Sequence, residues 1–378
     1  QLGLFMLMFC SGAALRSGTR RGEGRTAIVT AAMGNVVPFG AGVLFLLVLR
    51  PTGLVGSAHS QAAFLLVFSC AIAVTSVPVI SKIMADLGIL GTPFARIVLA
   101  VAVFEDVILF IILSVALGMV APTGGGTMNL PSLLGIRPDT PPSTVYYVIA
   151  SAAFFSLPLL LGRGFLQRLA ELRWNVLAKS SPVAFQLIFL LALTALALWV
   201  GVAAYFGAFV AGILAGRLEG AHVKAHEAVR NFSFAVFIPV YFAIVGLQLD
   251  LLRHFDPLFF LGFLAYACAV KAASAYAGAR LSGQAKGSAR NLAVALNARG
   301  GPAIVLASVS YGAHIIDERF YVSLVMLALV TSMMAGAWLD LVLRRPGARQ
   351  GLFEGARQPL TRVPPSPAPS PAASEPAG

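Results

Sequence analysis

Glu105 and Asp106 stand side by side in PFARIVLAVAVFEDVILFIILSVALG, residues 93–118, a run with no lysine or arginine after Arg96. Such a run reads as a membrane-spanning helix, and a carboxylate at its centre costs a few kcal/mol unless a cation, a proton or a basic side chain meets it. Adjacent acids in that setting can bind a cation, carry a proton or do acid–base chemistry. At about 1.5 Å of rise per residue, Glu105 lies roughly 13 Å along the helix from Arg96, close to the centre of a hydrocarbon core about 30 Å thick. Lys271 is the same nine residues from Arg280, and Arg299 the same nine from Arg290. Continuous helices would therefore bring two acids and two bases to one level of the membrane, where they can meet and titrate. The structural alternative is a static ion pair that joins helices.

Two interruptions supply further ligands. In AIAVTSVPVISKIMADLG, Thr75, Ser76 and Pro78 break an apolar run; in ALNARGGPAIVLAS, Arg299, Gly300, Gly301 and Pro302 do the same. Proline removes a backbone donor, and freed carbonyls together with the Thr75 and Ser76 hydroxyls can face a cation. Half-helix ends would then face each other at mid-membrane, where their dipoles favour ions. A simple proline kink is the plainer reading of either break alone.

The elements that must position these residues follow from hydropathy. The 378-residue chain is 58% hydrophobic and 11% charged, with a mean hydropathy of +0.86. These values point to an all-α polytopic membrane protein and exclude a large soluble core. Eleven candidate spans fall at about 2–15, 27–49, 61–82, 96–119, 144–162, 183–200, 202–217, 232–249, 257–279, 291–312 and 320–343. Most Lys and Arg residues, among them Arg20, Lys82, Arg96, Arg168, Lys224, Arg280 and Arg345, fall in every other connection, whereas Arg50, Arg137, Arg253 and Arg319 fall in the intervening ones. The positive-inside rule makes the first group cytoplasmic and places the C-terminus inside. The net charge of +12 is scattered between apolar runs, forms no continuous patch and gives no reason to expect nucleic acid. Cys10, Cys70 and Cys268 lie in apolar segments without metal-ligand spacing and read as packing residues. The spacing predicts no metal site and no cofactor.

The chain divides into a membrane domain, 1–343, and a Pro/Ala/Ser-rich tail, 344–378, expected to be a disordered cytoplasmic end. The Gly- and Pro-rich connection 120–143 separates two halves that echo each other, about 1–119 and 232–343. TSVPVI aligns with ARGGPA, proline on proline, and Phe94 aligns with Phe320. Equivalent spans run in opposite directions, so the copies form an inverted repeat of the kind common in secondary transporters. The chain opens inside an apolar run at Gln1, which reads as an N-terminally truncated frame rather than a signal peptide.

With TSVPVISKIMADLGIL, the adjacent acids, GAFVAGILAG at 207–216, FIPVYFAIVGLQLDL at 237–251 and NARGGPAIVLAS at 297–308, the chain resembles the monovalent cation:proton antiporter-2 family. The resemblance covers nearly all of 1–343. It implies a sodium/proton antiporter fold whose two broken helices cross at mid-membrane, and a homodimer in the lipid bilayer of a bacterial inner membrane. It also implies exchange of Na+ or K+ for H+. Asp106 would carry ion and proton, Lys271 and Arg299 would compensate charge, and Glu105 occupies a position where the family has Asp, Asn or Gln. Two spans upstream of LGLFMLMF belong to the family pattern. Three alternatives remain at this point: a sodium-coupled organic solute symporter of related fold, a channel, and an intramembrane hydrolase using the two carboxylates. Against the last, adjacent residues on a helix point about 100° apart and form no facing dyad. His222 and His226, four apart, read as part of a solvated loop with a cytoplasmic pH sensor as the alternative.

Overall fold

A continuous apolar run in lipid has to satisfy its own backbone, so each of the runs above becomes a helix or a helix broken once. The computed structural model describes residues 1–13, 23–49, 53–120, 129–136, 141–160, 164–172 and 175–344. The principal helices are α1 (Leu2–Ala13), α2 (Glu23–Leu49), α3 (Gln61–Ala73), α4 (Val77–Asp86), α5 (Pro93–Val120), α6 (Pro141–Leu160), α7 (Pro182–Val200), α8 (Ala204–Ala215), α9 (Ala221–Leu247, passing through a π turn at Ser233–Phe237), α10 (Pro257–Leu281), α11 (Lys286–Ala295), α12 (Gly300–Gly312) and α13 (Glu318–Leu343). Among the described residues, eight helices or broken pairs are long and apolar enough to cross a membrane, and α1, α8 and part of α6 are shorter apolar helices. The protein is a multi-pass integral membrane protein.

The boundaries have local causes. Ser60, Ser181, Asp256 and Asp317 each accept a first-turn N–H through the side chain, and proline enters the first turn of α7 and α10. Gly201 closes α7 with φ +83°, a left-handed turn that folds α8 straight back. Pro78 is not inside its break. It sits in the first turn of α4, where a missing N–H costs nothing, and the chain is interrupted just before it at Val74–Ser76. Pro302 likewise lies in the first turn of α12.

Two groups of helices result. α2, α3/α4 and α5 interleave with α10, α11/α12 and α13, so that α2 lies on α10 and the broken helices lie between them. The broken helices are the third and tenth apolar runs, one in each half of the chain. The second group is built on α1 against α8, flanked by α7 and α9. A Cβ on Gly12 would land on the Phe209 carbonyl, and one on Gly212 on the Phe9 carbonyl. Small residues at these positions let two backbones touch, the usual basis of close helix pairing in lipid, and this explains the GAFVAGILAG motif.

His222 and His226 lie on α9 rather than in a loop, with their rings against Phe185 and Phe9. The tail 345–378 and residues 121–128 and 137–140 of the connection 120–143 lie outside the described residues.

Candidate functional site

The site is the place where the two broken helices pass each other. The Ser76 N–H donates to the Ala298 carbonyl at 2.7 Å, and the Thr75 hydroxyl donates to the Leu296 carbonyl at 2.5 Å. Each extended stretch thus satisfies the other. Ser76 Oγ turns back to accept the Val79 N–H and caps α4. At the second break Gly300 takes φ +39°, and its N–H is accepted by Ser332 Oγ on α13 at 3.1 Å. A Cβ on Gly300 would collide with Val79 and Ser76, so only glycine fits there. Gly301 is different: a Cβ would find Leu7 and Phe242 at 3.8 Å, an ordinary contact.

Both bases are fully buried, and both serve the carbonyl end of α3. Arg299 donates to the carbonyls of Ala71 (3.3 Å), Ile72 (3.1 Å) and Ala267 (2.9 Å), and to Asn297 Oδ1 (3.3 Å). Lys271 donates to the Gly34 carbonyl at 2.9 Å and to the Ala73 carbonyl. Its Nζ also lies 2.7 Å from Glu105 Oε1. Two positive charges at a helix C-terminus match both its unpaired carbonyls and the negative end of its dipole.

The acids diverge as adjacent helical residues must, and each is 1% exposed. Glu105 faces Lys271 and the Thr75 hydroxyl. The lysine N–H groups aim at carbonyls, so the contact is an ion pair without an aligned hydrogen bond to the carboxylate. A Cβ on Gly34 would stand 2.8 Å from Glu105 Oε1, which explains a glycine on the facing helix. Asp106 faces the Val77 N–H at the start of α4, and its Oδ1 has no hydrogen-bond partner. A helix N-terminus favours an anion, and the unfilled acceptor is available to a cation or a proton.

Sequence reasoning thus brings Glu105 and Lys271 together as they are found. It also sets Arg299 among the acids, whereas this side chain turns to the carbonyls of Ala71 and Ile72, which become free only because α3 stops at Ala73, and to the Ala267 carbonyl of α10. Thr75 and Ser76 use their hydroxyls first to tie and cap helices, leaving oxygen lone pairs for anything else. Ser332 was missed; its signal is that the offset aligning Phe94 with Phe320 also aligns Asp106 with Ser332. Among the described residues no three His, Cys, Asp or Glu side chains gather as metal ligands.

Residues 1–345 match the sodium/hydrogen exchanger transmembrane family. The chain is 26% identical to the Na(+)/H(+) antiporter of Enterococcus hirae, over 74% of this chain and 68% of that protein. It is 24% identical to the Na(+)/H(+)-K(+) antiporter GerN of Bacillus cereus, over 88% and 79% respectively. Identity to the K(+)/H(+) antiporter 1 of Saccharomyces cerevisiae is 26% over 93% of this chain, which spans only 40% of that longer protein. The fold is similar to that of the sodium proton antiporter MjNhaP1 from Methanocaldococcus jannaschii, with a TM-score of 0.58 at 14% identity, covering 93% of this chain and 85% of that one. The crossed broken helices, the buried acids beside them and the match over nearly the whole chain lead to one assignment: the protein belongs to the sodium/hydrogen exchanger transmembrane family of cation:proton antiporters.

Proposed function

We propose that the chain exchanges Na+ or K+ for protons by alternating access, with Asp106 as the shared binding group. The observation that carries this reading is the Asp106 carboxylate, buried at the start of α4 with Oδ1 unpartnered, next to a Glu105 already engaged by Lys271. A carboxylate so placed holds either a proton or a cation, and one occupant excludes the other. Thr75 and Ser76 lone pairs and the neighbouring backbone shape the space around it, and Lys271 and Arg299 hold the local charge near zero. Hydrolysis is the weaker reading, because the acid that would act as partner to Asp106 faces another helix.

Protein reconstituted in proteoliposomes, with each alkali cation added in turn to a proton gradient, gives the test. Asp106→Asn is expected to abolish cation-dependent proton movement while the protein remains folded by size-exclusion chromatography. Full exchange by that variant overturns the assignment. On the charge distribution of the connections we place the C-terminus in the cytoplasm of a bacterial inner membrane, and on family resemblance we expect a homodimer; accessibility labelling and cross-linking test these two points.

A further inference from the structure

A cavity of about 910 Å³ lies away from Asp106, between α1, α8, α9 and the C-terminal end of α12. Its walls carry hydroxyls that the fold leaves unsatisfied. Tyr205 is 6% exposed, and its Oη has no hydrogen-bond partner; the same is true of the buried Tyr241 Oη and Ser308 Oγ. Ser308 stands between the phenols of Tyr241 and Tyr321, near both yet aligned with neither. Tyr321, fully buried and stacked on Tyr311 at 4.7 Å between centroids, points its hydroxyl at the Val245 carbonyl at 3.3 Å.

That carbonyl belongs to the last turn of α9, at the negative end of the helix dipole, and it also accepts the Gln248 N–H at 3.2 Å. Oxygens from three helices therefore converge without a charge among them. An unmet buried hydroxyl costs about 1–3 kcal/mol, which an occupant bringing positive charge and no donor requirement would relieve. Neutral hydroxyl and carbonyl oxygens are hard ligands suited to an alkali cation, and the absence of a carboxylate keeps the binding weak enough to release it.

We infer that the hydroxyls of Tyr241, Ser308 and Tyr321 form a second, low-affinity site for a partly hydrated monovalent cation on the approach to Asp106. This rests on the reading of the chain as a cation transporter. From Ser308 to Gly301, beside the crossing, is seven residues of α12, roughly 10 Å. A cation held here has exchanged part of its water for protein oxygens before reaching the buried acid.

The test measures binding of radiolabelled rubidium to the purified full chain carrying Asp106→Asn, so that the deep site contributes nothing. A saturable component is expected to survive. Ser308→Ala in that background should weaken it at least about tenfold, as should Tyr241→Phe, whereas Ser308→Thr, which keeps the hydroxyl, should retain it. Anomalous scattering from rubidium-soaked crystals should place the ion between Tyr241 and Ser308. No saturable component in Asp106→Asn, or one untouched by both Ser308→Ala and Tyr241→Phe, overturns the site. The transport reading fails on a different result, exchange that persists in Asp106→Asn, so the two failures are distinguishable. If Ser308→Ala does not purify, Tyr241→Phe alone decides.

Discussion

The two breaks perform the same structural task with different chemistry. The offset that aligns Pro78 with Pro302 puts Ser76 on Gly300, and the offset that aligns Phe94 with Phe320 puts Asp106 on Ser332. In the second half Ser332 Oγ accepts the Gly300 N–H at the head of α12. In the first half Asp106 faces the Val77 N–H at the head of α4. A hydroxyl is thus sufficient to satisfy a freed helix end at this place. The carboxylate in the first half brings a negative charge that capping does not require, together with a spare oxygen that the second half lacks. The bases show the same division. Lys271 and Arg299 come from the second half and bind the carbonyl end of α3, whereas the carbonyls of Leu296 and Ala298 receive a neutral hydroxyl and a neutral N–H. Both acids and Lys271 gather around one break, and the other is tied by neutral groups together with the Arg299 contact to Asn297.

Substitutions that make the breaks alike should have the largest effect. Asp106→Ser copies the second half into the first; exchange in proteoliposomes should fall at least about a hundredfold, because the charged group is gone, while the melting temperature changes little. Retained exchange would mean that the difference between the breaks is not functional. Next comes Arg299→Leu, which strips donors from the carbonyls of Ala71, Ile72 and Ala267. With each orphaned acceptor costing about 1–3 kcal/mol, a loss on the order of 3–5 kcal/mol is expected, read as a marked drop in detergent melting temperature. A variant as stable as the parent would show that these bonds are not structural.

Glu105→Gln tests whether the Lys271 pair opens during the cycle. Exchange should persist with its voltage dependence lost, and voltage dependence retained in both Glu105→Gln and Lys271→Gln would show that the pair stays closed. Thr75→Ala and Ser332→Ala each remove one tie, at about 1 kcal/mol apiece. Only Thr75→Ala, beside the acids, should also raise the apparent KM for the cation. The smallest effect is at the head of α13, where burial lifts the Asp317 carboxyl above its ordinary value. The folded chain then holds a proton that the unfolded chain has released, so stability falls as pH rises from the ordinary carboxylate value through the raised one. Asp317→Asn, which keeps a capping oxygen, should flatten that slope in a pH series of melting curves.

Depth along a helix was legible from residue counts, and it brought Glu105 to Lys271 because both sit in unbroken helices, α5 and α10. The same count for Arg299 crosses the break between α11 and α12. Its partners are set by where α3 ends, and hydropathy does not mark that point within a continuous apolar run. Pro78 and Pro302 marked the breaks to within a turn and then proved to be helix starters, since proline fits the first turn as well as it interrupts a middle. His222 and His226 were misread because α9 begins earlier than its apolar stretch, and a polar first turn leaves no hydrophobic trace.

The seam between α1 and α8 carries a mechanical consequence. Where Gly12 meets Phe209 and Gly212 meets Phe9, no side chains lie between the backbones to act as lubricant. Sliding by even one residue, about 1.5 Å, would drive main chain into main chain, so the pair behaves as a single beam. On the alternating access proposed above, the movement would run along the surface beside that beam, where Leu7 and Phe242 face Gly301 across 3.8 Å from where a Cβ would stand. Enlarging that glycine to valine would act as a brake, arresting the stroke without touching the cargo.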